Sequence, residues 1–336
     1  MSKPKPGRKP RSYKGAAGAR QHLVAVVQHP PVLLDLARTM DRAIDLTRQA
    51  AKAGARLITF PETYLPGYPE WVWRLRPDDR KLAHEIHGKL IRNCVDVEAG
   101  GLARLQAAAK RFGVTVVMGL QELDGAYSRS TIYNAVVTIG PDGSILNKHR
   151  KLMPTNPERM VWALGDGAGL RVVDTPAGRV GSLICWENYM PLARFSIYAQ
   201  GPEIYVAPTW DEGDGWTATM RHIALEGRCW VLGNGTSIQG RDIPRDFPGR
   251  EQIYPDPDEW INTGDSVIVG PDGGVVAGPL HEEHGILYAE CDPARAVAAR
   301  RTLDVAGHYG RPDVFHLDVA RDRRAPIAFS AGAESQ

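Results

Sequence analysis

Short runs of Val, Ile and Leu alternate along this chain with longer stretches whose apolar residues recur every three or four positions. HLVAVVQ (22–28) has the composition of a buried strand, and Leu34 to Ala53 carries the helical period and is closed by Gly54. RLITF (56–60) predicts the next strand. Leu102, Leu105, Ala109 and Phe112 share one face of a helix predicted over 101–112 and stopped by Gly113, after which VTVVMGL returns to a strand. IYNAVVTIG and SILNKHR flank the turn PDG (141–143) as a hairpin, and RVVDTPAGRVGSLIC reads as a second hairpin around Pro176, Ala177 and Gly178. Farther on, IYVAP, CWVLGN, SVIVG and ILYAECD read as strands, with a helical pattern at TATMRHIALEG and a turn at PDGG (271–274).

Strand–helix–strand units mixed with hairpins predict sheets covered by helices, an α/β chain or a layered α-β-β-α arrangement. Without a linker, repeat or low-complexity tract inside residues 22–318, a single domain over 21–318 is expected, between a leader at 1–20 and a flexible tail at 319–336. Two stretches are harder to assign. Pro61 to Val97 is loop-like and Trp-rich before a helix, and Ile238 to Gly264 is broken by Pro244, Pro248, Pro255 and Pro257. Irregular segments of that length tend to line active sites or meet partner subunits.

Composition narrows the function classes. The 336 residues are 43% apolar and 24% charged, a globular balance, and the formal charge of +2 hides an asymmetry. Residues 1–20 hold seven Lys and Arg and no acid; without them, 34 basic residues face 39 acidic ones and the body is near −5. No aromatic platform or basic helix follows the leader, so a solvated, disordered tail is expected rather than a nucleic-acid contact. The leader has no apolar core of a secretory signal, and Pro30 and Pro31 cut the apolar stretch that follows, so a soluble cytoplasmic protein with no membrane contact is expected. Cys94, Cys185, Cys229 and Cys291 form no CxxC pair, which argues against a disulfide framework and a thiolate zinc site. HEIHG (84–88) and HEEHG (281–285) space their histidines at i, i+3 rather than as HExxH, and GDGAG (165–169) lacks the lysine of a phosphate loop. They read as surface histidines and a turn, and no metal or cofactor is expected.

Three ionisable residues each follow an apolar run. Cys185 ends RVGSLIC, and Asn188 is placed to cap a helix with Pro191 in its first turn and Gly201 past its end, so the thiol is expected at a helix N-terminus whose partial charge favours thiolate. The commonest fate of a free cysteine is nonetheless structural burial. RLITF delivers Glu62, whose carboxyl would have a raised pKa if buried unpaired, and SILNKHR delivers Lys148, His149, Arg150 and Lys151. Each has a bland reading alone, as a surface acid or a solvated cation. Together they supply a base, a charge stabiliser and a nucleophile.

The segments around these residues carry a resemblance. FPETYLPGYP (60–69), HRKLMPTNPERMVWALGDG (149–167), GSLICWENYMPLAR (181–194) and the ending DVAGHYGRPDVF (304–315) are similar, in order, to the motifs of the nitrilase superfamily and specifically its nitrilase branch. The resemblance spans residue 22 to about 318. It implies an α-β-β-α sandwich with Glu62 as general base, Lys151 as the cation at the reacting centre, Cys185 as nucleophile, and Glu158 as a second glutamate positioning Lys151 and the substrate. Trp186, Trp210 and Tyr68, with Trp71 and Trp73 nearby, are the expected substrate contacts, and the Trp186 N–H is the expected oxyanion donor. The implied reaction converts a small nitrile and water to a carboxylic acid and ammonia through a thioimidate and a thioester. Homo-oligomers are implied too, dimers pairing through helices and extending into spirals or filaments. Amidases and carbamoylases share the triad, and a hydratase that stops at the amide differs only in how one intermediate partitions. A non-catalytic scaffold would be free to lose the three groups that are all present here. CWEN and HYGRPDVF favour the nitrile branch.

Overall fold

The computed structural model describes residues 21–323 together with Ala325 and Ile327; the leader and most of the tail lie outside the described residues. HLVAVVQ forms β1 (His22–Gln28), and the Asp35 carboxylate accepts the Arg38 N–H at 2.9 Å to cap α1 (Leu36–Lys52), followed by β2 (Leu57–Thr59). After α2 (Arg80–Asn93), α3 (Ala103–Phe112) stops where Gly113 turns left-handed at φ +64°, and β3 (Thr115–Leu123) begins two residues on. The first predicted hairpin is β4 (Ile132–Ile139) with β5 (Ile145–Arg150), and the second is β6 (Val173–Thr175) with β7 (Gly178–Ser182), each antiparallel. Then come α4 (Pro191–Tyr198), β8 (Ile204–Pro208), α5 (Gly213–Gly227) and β9 (Trp230–Asn234).

The stretch expected to be irregular contains β10 (Ser237–Gln239), the single turn α6 (Arg250–Ile253) and the first half of β11 (Trp260–Val269). WINTG has no aliphatic run, yet it pairs with β10 in antiparallel register. β12 (Val275–His281) was also not predicted: an edge strand with mostly exposed side chains carries no periodic signal. β13 (Gly285–Cys291) and α7 (Pro293–Ala299) complete the order.

Two sheets result. One runs β13-β1-β2-β3-β4-β5 and the other β10-β11-β9-β8-β7-β6, with β12 on β11. Each is parallel at its centre and antiparallel at its edges. The strands explain the layering, because alternate side chains leave on opposite faces. Val24, Val26 and Val117 of the first sheet pack with Ile204, Val206, Leu232 and Ile268 of the second. Their neighbours Ala25, Val27, Val116 and Met118 pack with Met40 and Leu46 of α1 and Leu105 of α3. On the far side Tyr205, Val231 and Val267 meet Ile197 of α4 and Trp216 and Met220 of α5. This is the expected α-β-β-α sandwich. No described helix is long and apolar enough to cross a membrane.

Candidate active site

Each candidate residue leaves the end of a central or hairpin strand. Glu62 comes three residues after β2, Lys151 directly after β5, and Cys185 three residues after β7, so the carboxyl ends of the strands converge on one place, as open α/β sheets arrange their sites. Glycines make the convergence possible. A Cβ on Gly119 of β3 would collide with the Pro61 carbonyl oxygen and sit 2.7 Å from the Thr63 nitrogen, and one on Gly165 would collide with the backbone of Arg150 and Lys151. Thr63 beside Glu62 (φ +45°) and Cys185 itself (φ +50°) adopt left-handed backbone that costs a β-carbon residue about 1–3 kcal/mol, held by the packing around them. Gly119→Ala is expected to push the Glu62 turn outward, lowering kcat/KM about 10²-fold and stability by roughly 1–3 kcal/mol. Steady-state kinetics on a nitrile, read beside a thermal melt, check both.

Glu62 is 1% exposed and Lys151 1% exposed. The Lys151 ammonium donates to Glu62 Oε1 at 2.9 Å and to Glu158 Oε2 at 2.7 Å. Glu62 also receives Asn134 Nδ2 on Oε1 at 2.6 Å and the Trp210 backbone N–H on Oε2 at 2.8 Å. Glu158 receives the Tyr68 hydroxyl at 2.6 Å and the Thr155 N–H at 2.6 Å, which turns its carboxylate toward Lys151. Burial pushes the Glu62 carboxyl above the ordinary glutamate range, against the opposing pull of Lys151, and Glu158 adds to the rise. Burial alone would lower the Lys151 ammonium, but Glu62, Cys185 and Glu158 hold it above its usual value, so it stays charged.

The Cys185 segment departs from expectation. β7 ends at Ser182, Cys185 opens a single 3₁₀ turn over Cys185–Tyr189, and α4 begins only at Pro191. Asn188 does not cap that helix: its amide donates to the Leu183 and Cys185 carbonyls at 3.2 and 2.7 Å, while its oxygen accepts the Tyr205 hydroxyl at 2.8 Å. A one-turn element has little dipole to offer, and burial, then Glu62, push the Cys185 thiol well up rather than toward thiolate. Lys151 and a hydrogen bond with Thr209 pull the other way without prevailing. The resting sulfur therefore keeps its proton, and any use of it as a nucleophile needs a base.

A cleft of about 230 Å³ opens onto Cys185 and Glu158. Tyr68, Trp73, Trp186 and Trp210 wall it, with Tyr68 and Trp210 stacked at 4.4 Å between ring centroids. The three expected contacts Tyr68, Trp186 and Trp210 thus lie around the thiol, as does Trp73. Trp71 does not, because it packs against Phe247 in an apolar cluster. The two segments marked as irregular both contribute to the cleft, through Tyr68 and Trp73 on one and Ile261 and Asn262 on the other. The remaining sequence-flagged groups are engaged elsewhere. Lys148 and Arg150 pair with Glu122, and His281 and His284 with Asp265 and Asp242. Cys94, Cys229 and Cys291 are buried free thiols.

Sequence reasoning missed four contributors. Asn134 and the Trp210 N–H orient Glu62, and Thr209 reaches the thiol. Glu187, wholly buried, accepts His149 Nε2 at 3.0 Å, the Leu152 N–H at 2.6 Å and the Ile184 N–H at 2.7 Å, tying the Lys151 segment to the Cys185 turn. Burial would raise its carboxyl, but His149 and the two N–H groups together hold it below the usual range. The CWEN string held the only signal for Glu187.

The carbon-nitrogen hydrolase family model matches residues 23–301. A bifunctional nitrilase/nitrile hydratase of Nicotiana tabacum is 40% identical over 312 residues, covering 91% of this chain and 88% of its own. An aliphatic nitrilase of Sinorhizobium fredii is 40% identical over 313 residues, covering 91% and 98%. Among solved structures, a carbon-nitrogen hydrolase from Helicobacter pylori superposes with a TM-score of 0.63 at 22% identity, over 84% of this chain and 93% of that one. A branch 10 member of the nitrilase superfamily from Saccharomyces cerevisiae gives 0.64 at 20% identity, over 86% and 97%.

Proposed function

The chain belongs to the carbon-nitrogen hydrolase family, and from that premise we propose that it is a nitrilase in which Glu62, Lys151 and Cys185 hydrolyse an organic nitrile to its acid and ammonia. The observation that carries the reading is the shared environment of the three groups: a buried Glu62–Lys151 pair at 2.9 Å, electrostatically coupled to a protonated thiol that faces an aromatic cleft.

Glu62 takes the thiol proton as sulfur adds to the nitrile carbon, and the Glu62–Lys151 pair returns a proton to the nitrogen, leaving a thioimidate. A water loses its proton to Glu62 and adds to the same carbon. That proton passes from Glu62 to the nitrogen, and the new hydroxyl then gives up its remaining proton to the nitrogen through Glu62 as C=O forms and the C–N bond breaks, which releases ammonia and leaves a thioester; a second water cleaves the thioester to the acid while sulfur recovers its proton. Lys151 and the Trp186 backbone N–H stabilise the charge that develops at each addition, where losing one donor costs about 10²-fold or more. Glu158, fixed by Tyr68, keeps Lys151 on the reacting side of the pair.

Amide as a co-product is a second reading, supported by the bifunctional name of the tobacco relative. A product assay by mass over aliphatic, arylaliphatic and aromatic nitriles, run beside the corresponding amides, decides between acid and amide. Acid from nitriles without acid from their amides is expected; acid from amides alone would replace the nitrilase with an amidase. The same assay across pH should lose activity on the acid side at a pH above the ordinary glutamate range, because below its raised pKa Glu62 is protonated and accepts nothing. The catalytic unit spans 21–318 and works in the cytoplasm as a homo-oligomer. Pairing through α4 and α5 is supported by Tyr189, Leu192 and Leu225, which are 43%, 66% and 40% exposed on and beside those helices.

A further inference from the structure

The segment TWDEGDGW (209–216) places Asp211, Glu212 and Asp214 within four residues and contains no basic residue. Asp211 and Glu212 line the cleft at its solvent end, Glu158 lines it at depth, and among the described residues no lysine or arginine lines it. Lys151, beneath, is already held between Glu62 and Glu158. The donors on the outer carboxylates are neutral. Asp211 accepts the Trp186 indole N–H and the Tyr189 hydroxyl at 3.0 Å each and the Glu212 N–H at 3.0 Å, while Glu212 accepts the Thr263 N–H and hydroxyl at 2.6 and 2.7 Å. His281, which feels Glu212 electrostatically, pairs with Asp265 at 2.8 Å. Trp73 and Trp186 stand in the same cleft, 46% and 47% exposed. Carboxylates with no cationic partner among the described residues, set beside half-exposed indole rings, form an environment that suits an ammonium and repels a carboxylate.

We infer that the cleft sorts nitriles by charge: it takes neutral and cationic nitriles and turns away cyanocarboxylates, with Asp211 and Glu212 as the specificity-determining residues. The inference rests on the nitrilase reading of this cleft and adds the substrate class. It also gives the reaction a direction, because hydrolysis turns a neutral nitrile into an acid that is fully ionised at neutral pH. The product becomes an anion between Glu158 and the outer carboxylates, and repulsion drives its release.

The test uses three nitriles with four methylenes between the cyano carbon and the terminal group: aminovaleronitrile, hexanenitrile and cyanovalerate. At low ionic strength kcat/KM for the cation should exceed that for the anion by about tenfold or more, a gap that narrows at high salt. In an Asp211→Asn/Glu212→Gln double variant the ratio should fall toward unity. Equal use of cyanovalerate and aminovaleronitrile, or a preference that neither salt nor the double variant moves, overturns the inference. Turnover of none of the three, with none of the arylaliphatic and aromatic nitriles turned over either, would count against the nitrilase reading instead. The charge inference would then be decided by alkylation of Cys185, located by peptide mass. Iodoacetate should label it several-fold less well, relative to iodoacetamide, than it labels free cysteine, and the double variant should erase that deficit. No deficit in the parent protein overturns it.

Discussion

Cys185→Ala is expected to lower ammonia release from any nitrile substrate by about 10⁴-fold or more while leaving the fold intact, because no other described cysteine lines the cleft and covalent attack has no substitute nucleophile. The structural cost is small. Alanine keeps the Cβ, bears the same left-handed backbone at φ +50°, and gives up one buried sulfur next to Thr209. A melt within a few degrees of the parent, together with lost turnover, would separate chemistry from folding. Intact mass of the parent protein quenched during turnover should show the acyl adduct on Cys185, and the variant should show none. Equal ammonia release from both proteins would remove the covalent mechanism.

Lys151→Met should cost both activity and stability. Methionine fills a similar volume but leaves Glu62 and Glu158, each 1% exposed, facing one another with no cation between them. Two like charges at such a site cannot both persist, so one carboxyl takes up a proton. A protonated Glu62 cannot accept from the thiol, and only the Trp186 N–H is left to steady the charge that builds at the nitrogen. Turnover should fall about 10³-fold or more, and unfolding free energy by roughly 3–5 kcal/mol, as when one partner of a buried ion pair is removed. Chemical denaturation and single-turnover kinetics read the two effects separately. Adding Glu158→Gln should recover part of the stability, since it removes one of the stranded charges, without recovering turnover. Wild-type turnover in Lys151→Met would show that the ammonium has no part in the reaction.

How far the sequence reveals this molecule depends on the range of the interactions involved. β1, β3 and β9 could be read from HLVAVVQ, VTVVMGL and CWVLGN because both faces of each strand are buried and an aliphatic run suffices to mark them. β12 was silent because its VVAGPLH faces outward on an edge, and the first half of β11 because its partner is a three-residue strand that makes sense only after folding. Glu62, Lys151 and Cys185 were visible as ionisable residues at the ends of apolar runs, and the motif resemblance joined them. Their supports were not. Asn134 lies 72 residues from Glu62 in the chain, and Glu187 lies 38 from His149, so no local pattern pairs them. Asn188 shows the converse: a good local cap signal lost to the Leu183 and Cys185 carbonyls and the Tyr205 hydroxyl, which only tertiary packing brings within reach.

The proton that rests on Cys185 also bears on how long the protein lasts between turnovers. Peroxide oxidises a sulfhydryl far more slowly than the anion, and the first oxidised state of sulfur is rescued most readily when a second thiol stands by to form a disulfide. Here the remaining cysteines are shut away as free thiols, so no such rescue is built in. Under the nitrilase reading, the burial that holds the proton on Cys185 until Glu62 accepts it is expected to slow oxidation as well, so in dilute peroxide Cys185 should outlast a solvent-exposed cysteine.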